Sequence, residues 1–360
     1  MFDATHFARL QSIGLTPHLL QSIPPLADGD TPMRVVEVQR DSVLLHDGTA
    51  TWRARLLPAL HNQLADAADA VAVGDWVLAQ RNTLSEWWVR SRVPPGNQIA
   101  RRLHDGRDKV TRVVLAANID TALIVMGLDH DFNPRRLERY LAFTRLARVG
   151  AIVVLTKADL VDDEACAARV REAALLAPAG VAVVAVNGQA PEAATTLAPW
   201  LGAGQTLVVV GSSGAGKSTL TNTLDGAAVQ DTGGTRAGDG RGRHTTTVRT
   251  LHPLPGGACL IDTPGLRTLR LDADAADVVG AFDDIANLAS ACRFRDCRHD
   301  GEPGCAVRDA LPAARLKNFH KLQREAARDT MSALERQALI ARWKAIGRAG
   351  KTRAKQKKDW

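Results

Sequence analysis

Nine consecutive residues carry the plainest chemical signature in the chain. Gly211, Ser212, Ser213, Gly214, Ala215, Gly216, Lys217, Ser218 and Thr219 fit the pattern G-x-x-x-x-G-K-S/T. An apolar run at 206–210 precedes them and a helical pattern follows, the setting in which such a loop cradles phosphate. Glycines let the backbone wrap closely, successive N–H groups form an anion nest, and the helix N-terminus adds partial positive charge. Lys217 is expected at the β- and γ-phosphates and Ser218 at Mg2+. A second apolar run, 258–261, ends in Asp262-Thr263-Pro264-Gly265, with Asp262 lying 51 residues beyond Gly211. Asp262 would hold the same Mg2+ through water, and Gly265 would offer a switch N–H to the γ-phosphate.

Thr156-Lys157-Ala158-Asp159 close another apolar run, 151–155. A carboxylate at Asp159 can accept from N1–H and the exocyclic amine of guanine, a donor pair that adenine lacks. Asp159 would therefore select GTP over ATP, while Lys157 lays its alkyl stem across the base. The bare tetrapeptide is also a common surface turn; its place at the carboxyl end of a strand, where α/β folds bind ligands, favours the ligand reading. Leu266, directly after Gly265, has no polar atom with which to orient an attacking water. The candidate catalytic group is His244, in the Gly- and Arg-rich stretch 240–247, with an ordinary surface histidine as the alternative. Of Thr245, Thr246 and Thr247, Thr246 is assigned to the magnesium. Cys292, Cys297, His299 and Cys305 supply three thiolates and an imidazole, the ligand set of a closed structural zinc site. A chance grouping of reduced thiols is the alternative, and Cys166 and Cys259, on apolar stretches, are read as core thiols.

The elements that must position these residues follow from periodicity. Runs at 122–126, 151–155, 181–186, 206–210 and 258–261 have the length and β-branched content of buried parallel strands, with a more polar edge strand at 245–251 and helices at 135–148 and 164–176. In an ordinary GTPase the phosphate loop precedes the base motif; here the base motif comes first. A circularly permuted α/β P-loop GTPase domain accounts for all six strands. Upstream, alternating runs at 34–38, 42–46, 51–57, 74–79 and 87–93 predict a small OB-type β-barrel, with any small antiparallel sheet as the alternative. Trp52, Trp76, Trp87 and Trp88 are read as core or as base-stacking residues. Helices are expected at 273–289, 308–327 and 331–346.

Read together, TKAD, GSSGAGKST, GRGRHTTT, DTPG and C-x4-C-x-H-x5-C resemble the ribosome small-subunit-dependent GTPase A family (RsgA, or YjeQ) over nearly the whole chain. The resemblance implies a multidomain chain: an N-terminal segment and OB-fold barrel at 1–105, a permuted GTPase domain at 106–272, and a helical zinc-binding domain with a basic tail at 273–360. It implies one structural Zn2+ per chain, Mg2+ with GTP, and His244 as the catalytic residue. Its implied partners are GTP/GDP, the small (30S) ribosomal subunit and 16S rRNA, with hydrolysis on the subunit late in its maturation. Thr156 stands where Asn is usual, and Val186-Asn187 where a Ser-Ala pair is usual, departures that bear on guanine affinity. A rival reading is an rRNA-binding assembly factor whose nucleotide site is only structural or regulatory. A P-loop ATPase or kinase is a third, disfavoured by Asp159.

Composition is compatible with this picture. Of 360 residues, 45% are hydrophobic and 24% charged, which excludes wholesale disorder and collagen. The net charge of +7 equals the balance within 342–360, eight basic residues against Asp359, so the rest is neutral. A charge confined to one tail suits a local polyanion such as nucleic acid better than a membrane. No apolar run reaches the roughly 18 residues of a spanning helix, and no secretory signal is visible. The chain is expected to be cytoplasmic and monomeric, without a membrane partner.

Overall fold

The computed structural model describes residues 4–104, 110–226, 249–262, 275–330 and 335. The first five strands are β1 (Thr31–Val38), β2 (Val43–His46), β3 (Thr51–Leu56), β4 (Trp76–Arg81) and β5 (Trp87–Arg92). Asp47 shapes the β2–β3 turn, its Oδ1 accepting from Thr49 N (2.7 Å) and Ala50 N (2.8 Å). The strands pair in the order β1-β2-β3-β5-β4, and β4 returns to pair with β1, closing a five-stranded barrel. Closure leaves no free edge. Alternate residues, including Met33, Val35, Val43, Leu45, Val77 and Val89, fill its interior. Helix Pro58–Asp66, absent from the sequence reading, adds Leu60 and Leu64 to that core.

Strands β6 (Gln98–His104) and β7 (Val110–Ala117), also unanticipated, form a separate two-stranded sheet. The remaining strands are β8 (Thr121–Gly127), β9 (Gly150–Thr156), β10 (Ala182–Ala185), β11 (Thr206–Gly211), β12 (Thr250–Pro253) and β13 (Cys259–Asp262). Their order is β10-β9-β8-β11-β13-β12, parallel throughout except for β12 against β13. The three strands that come first in the chain lie together on one side and the last three on the other, as permutation requires. β8 and β11 are buried along their whole length because both faces are covered, which is why they read as unbroken apolar runs. β12, described from Thr250 to Pro253, is not a free edge: Thr250 pairs with Glu37 of β1, so barrel and nucleotide sheet run together. Residues 245–248 lie outside the described residues.

Arg34, on β1, is buried completely where these two layers meet. Its guanidinium donates to the carbonyls of Ile13 (2.6 Å), Gly74 (3.3 Å) and Asn118 (3.2 Å) and lies 5.6 Å from the Trp76 ring centroid. Burying a cation is costly unless its donors find acceptors, and here each guanidinium nitrogen donates to a backbone carbonyl. A Cβ at Gly14 would fall 1.6 Å from Arg34 Nη1, so glycine is required there.

The chain divides into two compact units, Met1–Arg101 with Val113–Leu269, and Arg102–Arg112 with Arg270–Trp360. In the second unit, the helix expected at 273–289 is two helices, Ala275–Gly280 and Asp283–Ala289. The one expected at 308–327 is likewise Ala306–Ala310 and Ala313–Thr330, parted at Pro312, whose ring cannot sit in a helix interior. Phe282 and Phe319 meet edge-to-face at 5.3 Å, and Arg315 grips both oxygens of Asp284 (2.5 and 2.9 Å). The helix expected at 331–346 lies outside the described residues, apart from helical residue 335. Among the described residues no helix is long and apolar enough to cross a membrane.

Candidate functional site

The phosphate-loop sequence joins β11 to helix Lys217–Asp225. Gly211 is required by close approach, since a Cβ there would meet the Val125 carbonyl of β8 at 2.3 Å. Gly216, the residue before the helix, has φ +88°, a conformation that glycine adopts without strain. Ser213 and Gly214 are exposed and Ala215 is buried, so the crest of the loop faces solvent while its base is anchored. Lys217 folds back over the loop, its Nζ donating to Ser212 O (2.5 Å). Ser218 and Thr219, in the first helical turn, are half-buried.

Parallel register carries the base motif to the same end of the sheet: Gly211 pairs with Val125, and Gly127 with Thr156. Thr156, buried, donates through Oγ1 to Ala215 O at 2.6 Å, tying the end of β9 directly to the phosphate loop. The departure from Asn thus retains a side-chain link between the two motifs. Lys157 takes a left-handed backbone conformation (φ 62°), and Ala158 and exposed Asp159 begin the short 3-10 turn Ala158–Leu160. Val186 N donates to Leu155 O (2.8 Å) and Ala158 N to Val186 O (3.3 Å), so the Val186-Asn187 segment braces this turn through its backbone.

Sequence reading missed two acidic residues just after β8. Asp129 Oδ2 accepts from Lys157 Nζ at 2.7 Å. Burial pushes the Asp129 carboxyl up, but hydrogen bonds from Lys157 and the Asp131 N–H, with the lysine's charge, bring it below its ordinary value. Asp131 accepts from Ser212 Oγ (2.6 Å), Gly127 N (3.1 Å) and Arg136 Nη2 (2.5 Å), fastening the second residue of the phosphate loop to β8. The available signal was position: both lie just beyond the carboxyl end of a central parallel strand, where ligands collect.

Asp262 ends β13, one strand from β11, with Val208 opposite Ile261. The carboxylate expected at Mg2+ therefore stands at the phosphate-loop end of the sheet. His244, Thr246 and Gly265 lie outside the described residues.

In the second unit, ligand atoms of Cys292, Cys297, His299 and Cys305 lie within 4.8 Å of one another. Cys292 Sγ is 3.7 Å and Cys305 Sγ 3.4 Å from His299 Nδ1, and the two sulfurs are 4.0 Å apart. A tetrahedral ion with about 2.3 Å bonds to sulfur and about 2.1 Å to nitrogen separates its ligands by roughly 3.5–3.8 Å, so this group could hold a metal ion. On the barrel, Trp76 is core, whereas Trp52 and Trp87 are half-buried with Arg81 over both rings (5.0 and 4.7 Å).

Comparison with known proteins decides the family. The model of the RsgA GTPase family matches residues 96–272. A small ribosomal subunit biogenesis GTPase RsgA of Xanthomonas campestris pv. campestris is 45% identical over 302 residues, 82% of this chain and 81% of that protein. The chain belongs to the RsgA GTPase family. An RsgA of Xanthomonas oryzae pv. oryzae is 44% identical over the same shares. Among solved structures, YjeQ from Thermotoga maritima aligns with TM-score 0.62 at 20% identity, covering 82% of this chain and 98% of that one. YloQ, a circularly permuted GTPase, aligns with TM-score 0.59 at 19% identity, covering 84% and 98%. These likenesses show the RsgA fold: barrel, permuted GTPase sheet and a further module.

Proposed function

We propose that this chain is a GTPase that binds the small (30S) ribosomal subunit through 16S rRNA and hydrolyses GTP there late in subunit maturation. The observation that carries the reading is the 2.6 Å bond from Thr156 to Ala215, which links the guanine motif to the phosphate loop and supports their serving one nucleotide. The names of the Xanthomonas relatives support the ribosomal partner. In this reading Asp159 accepts from guanine, Lys157 covers the base, and residues 211–219 wrap the phosphates with Lys217 at the β/γ bridge. Ser218, Thr246 and Asp262 would hold Mg2+, which neutralises charge developing on the phosphates, and Gly265 would sense the γ-phosphate. His244 orients the attacking water, and its placement against rRNA limits the rate. Cys292, Cys297, His299 and Cys305 hold one structural Zn2+, the ion that three thiolates and an imidazole favour. The parts act as barrel (1–105), GTPase (106–272) and zinc module (273–360) of a cytoplasmic monomer.

The test is GTP turnover with and without purified small subunits. Stimulation by subunits is expected, and His244→Ala should lower the stimulated rate by about 10²-fold while leaving GTP affinity intact. Absence of stimulation would favour the rival reading, in which the nucleotide only stabilises an rRNA-binding factor. A stimulated His244→Ala rate within about twofold of wild type would remove His244 from the mechanism.

A further inference from the structure

We infer that Asp129 is a positioning residue for the guanine base: it holds the Lys157 ammonium, so that the lysine's alkyl stem is set in place before a nucleotide arrives. The inference rests on the reading above in which Lys157 covers the base. The contact is direct, Asp129 Oδ2 accepting from Lys157 Nζ at 2.7 Å, with the two side chains 20% and 28% exposed. His130 Nδ1 lies 3.4 Å from the same carboxylate, but its side chain is 93% exposed, so Lys157 is the partner that the fold holds there.

The backbone fixes both ends of this pair. Gly127 ends β8 opposite Thr156 of β9, and Leu128 N donates to Thr156 O (2.9 Å), which brings the loop after β8 beside the base motif. The loop is closed by its own acids: Asp129 Oδ1 accepts from Asp131 N (3.1 Å), and Asp131 Oδ2 accepts from Gly127 N (3.1 Å). A Cβ at Gly127 would fall 2.5 Å from Asp129 Oδ1 and 3.4 Å from Lys157 Cδ, so carboxylate and lysine stem both lie against this glycine. Lys157 itself has φ 62°, a left-handed conformation that a residue with a side chain keeps only where its surroundings hold it. A lysine free in solvent loses rotamer freedom when a ligand immobilises it; one whose ammonium is already paired has lost much of that freedom in advance. Asp129 therefore acts on nucleotide affinity through Lys157. It acts neither on the exocyclic amine that Asp159 reads nor on the phosphates that residues 211–219 wrap.

The experiment titrates the full chain with GDP, inosine diphosphate and pyrophosphate by displacement of a fluorescent guanine nucleotide, in wild type, D129N, K157M, D129N/K157M and K157A. Asparagine keeps an acceptor for Asp131 N and removes the charge; methionine keeps an apolar stem and removes the ammonium. D129N and K157M should each weaken GDP about twofold to tenfold, the range for one long side chain no longer immobilised in advance. The double variant should be no weaker than either single one, because both delete the same interaction. Inosine diphosphate, which lacks the exocyclic amine, should weaken by the same factor as GDP, and pyrophosphate should bind as it does to wild type. Wild-type GDP affinity in D129N or K157M, beside a loss in K157A, would overturn the inference and leave the base reading standing. So would additive losses in the double variant or an equal loss for pyrophosphate, either of which marks a structural role. A narrowed gap between GDP and inosine diphosphate in D129N would overturn it too, by placing the effect on Asp159. Wild-type GDP affinity in K157A would instead overturn the placing of Lys157 on the base, and this inference with it.

Discussion

Replacing Thr156 by Val keeps the side chain's volume and deletes its hydroxyl, isolating the bond from Thr156 to Ala215 that ties the base motif to the phosphate loop. Thr156 is 1% exposed and its Oγ1 sits 2.6 Å from Ala215 O, so no water can replace the lost donor. Removing one partner of a buried hydrogen bond costs about 1–3 kcal/mol. For a unit of this size each kcal/mol lowers the melting temperature by about 2–4 °C, so a fall of roughly 2–12 °C is expected. An untied loop must also be ordered by the nucleotide, and the same energy weakens GDP and GTP binding by about fivefold to 150-fold. Calorimetry and titration with a fluorescent guanine nucleotide measure both. Thr156→Ser, which keeps the hydroxyl, should stay close to wild type in each. Wild-type melting and affinity in Thr156→Val would refute the claim that this bond unites the two motifs.

Asp159→Asn should exchange GTP preference for XTP, whose C2 carbonyl accepts from the new amide; unchanged GTP affinity with no gain for XTP in competition binding would reduce the tetrapeptide to a surface turn. Cys292→Ser or chelation should release about one zinc per chain and lower subunit affinity while sparing GTP binding; metal analysis of freshly purified protein finding no stoichiometric zinc would discard the site. Asp75 is buried with Oδ1 unpartnered, and burial pushes its carboxyl from the ordinary carboxylate range up to about 7, against the pull of Arg92 at 3.7 Å. Because the folded chain holds this proton more tightly than the unfolded one, the associated stability is present below about pH 4 and is lost as pH rises toward 7, an effect of up to about 4 kcal/mol. Asp75→Asn should remove that decline in urea unfolding followed between pH 4 and 8; an identical wild-type-to-variant difference at both ends would sink the assignment.

The phosphate loop, the base motif and the permuted strand order were legible because each rests on local pattern: an apolar run, a glycine spacing, a carboxyl-end position. What escaped depends on distant chain segments. Arg34 lies between Met33 and Val35 on a strand, a place that alternation assigns to solvent, yet β1 is covered on both faces where barrel and nucleotide sheet meet. Asp129 and Asp131 read as turn residues, and only the folded register shows them holding Lys157 and Ser212. The breaks in the C-terminal helices differ in kind. Pro312 is a break that the sequence itself displays, whereas the gap at Ala281-Phe282 accompanies the packing of Phe282 on Phe319.

The acceptors around Arg34 also bear on the order in which this chain can be built. During synthesis the barrel's strands are complete once Arg92 has emerged, but Asn118, whose carbonyl is the third acceptor of Arg34, has not. A barrel closing at that moment would leave water in place of that carbonyl, in a site that later strands have yet to cover. N-terminal domains usually fold first as they leave the ribosome. Here the acceptors of Arg34 come both from the barrel's own stretch of chain and from the residue that leads into the nucleotide sheet, so a chain cut at the barrel's end lacks one of the carbonyls that meet this arginine in the full fold.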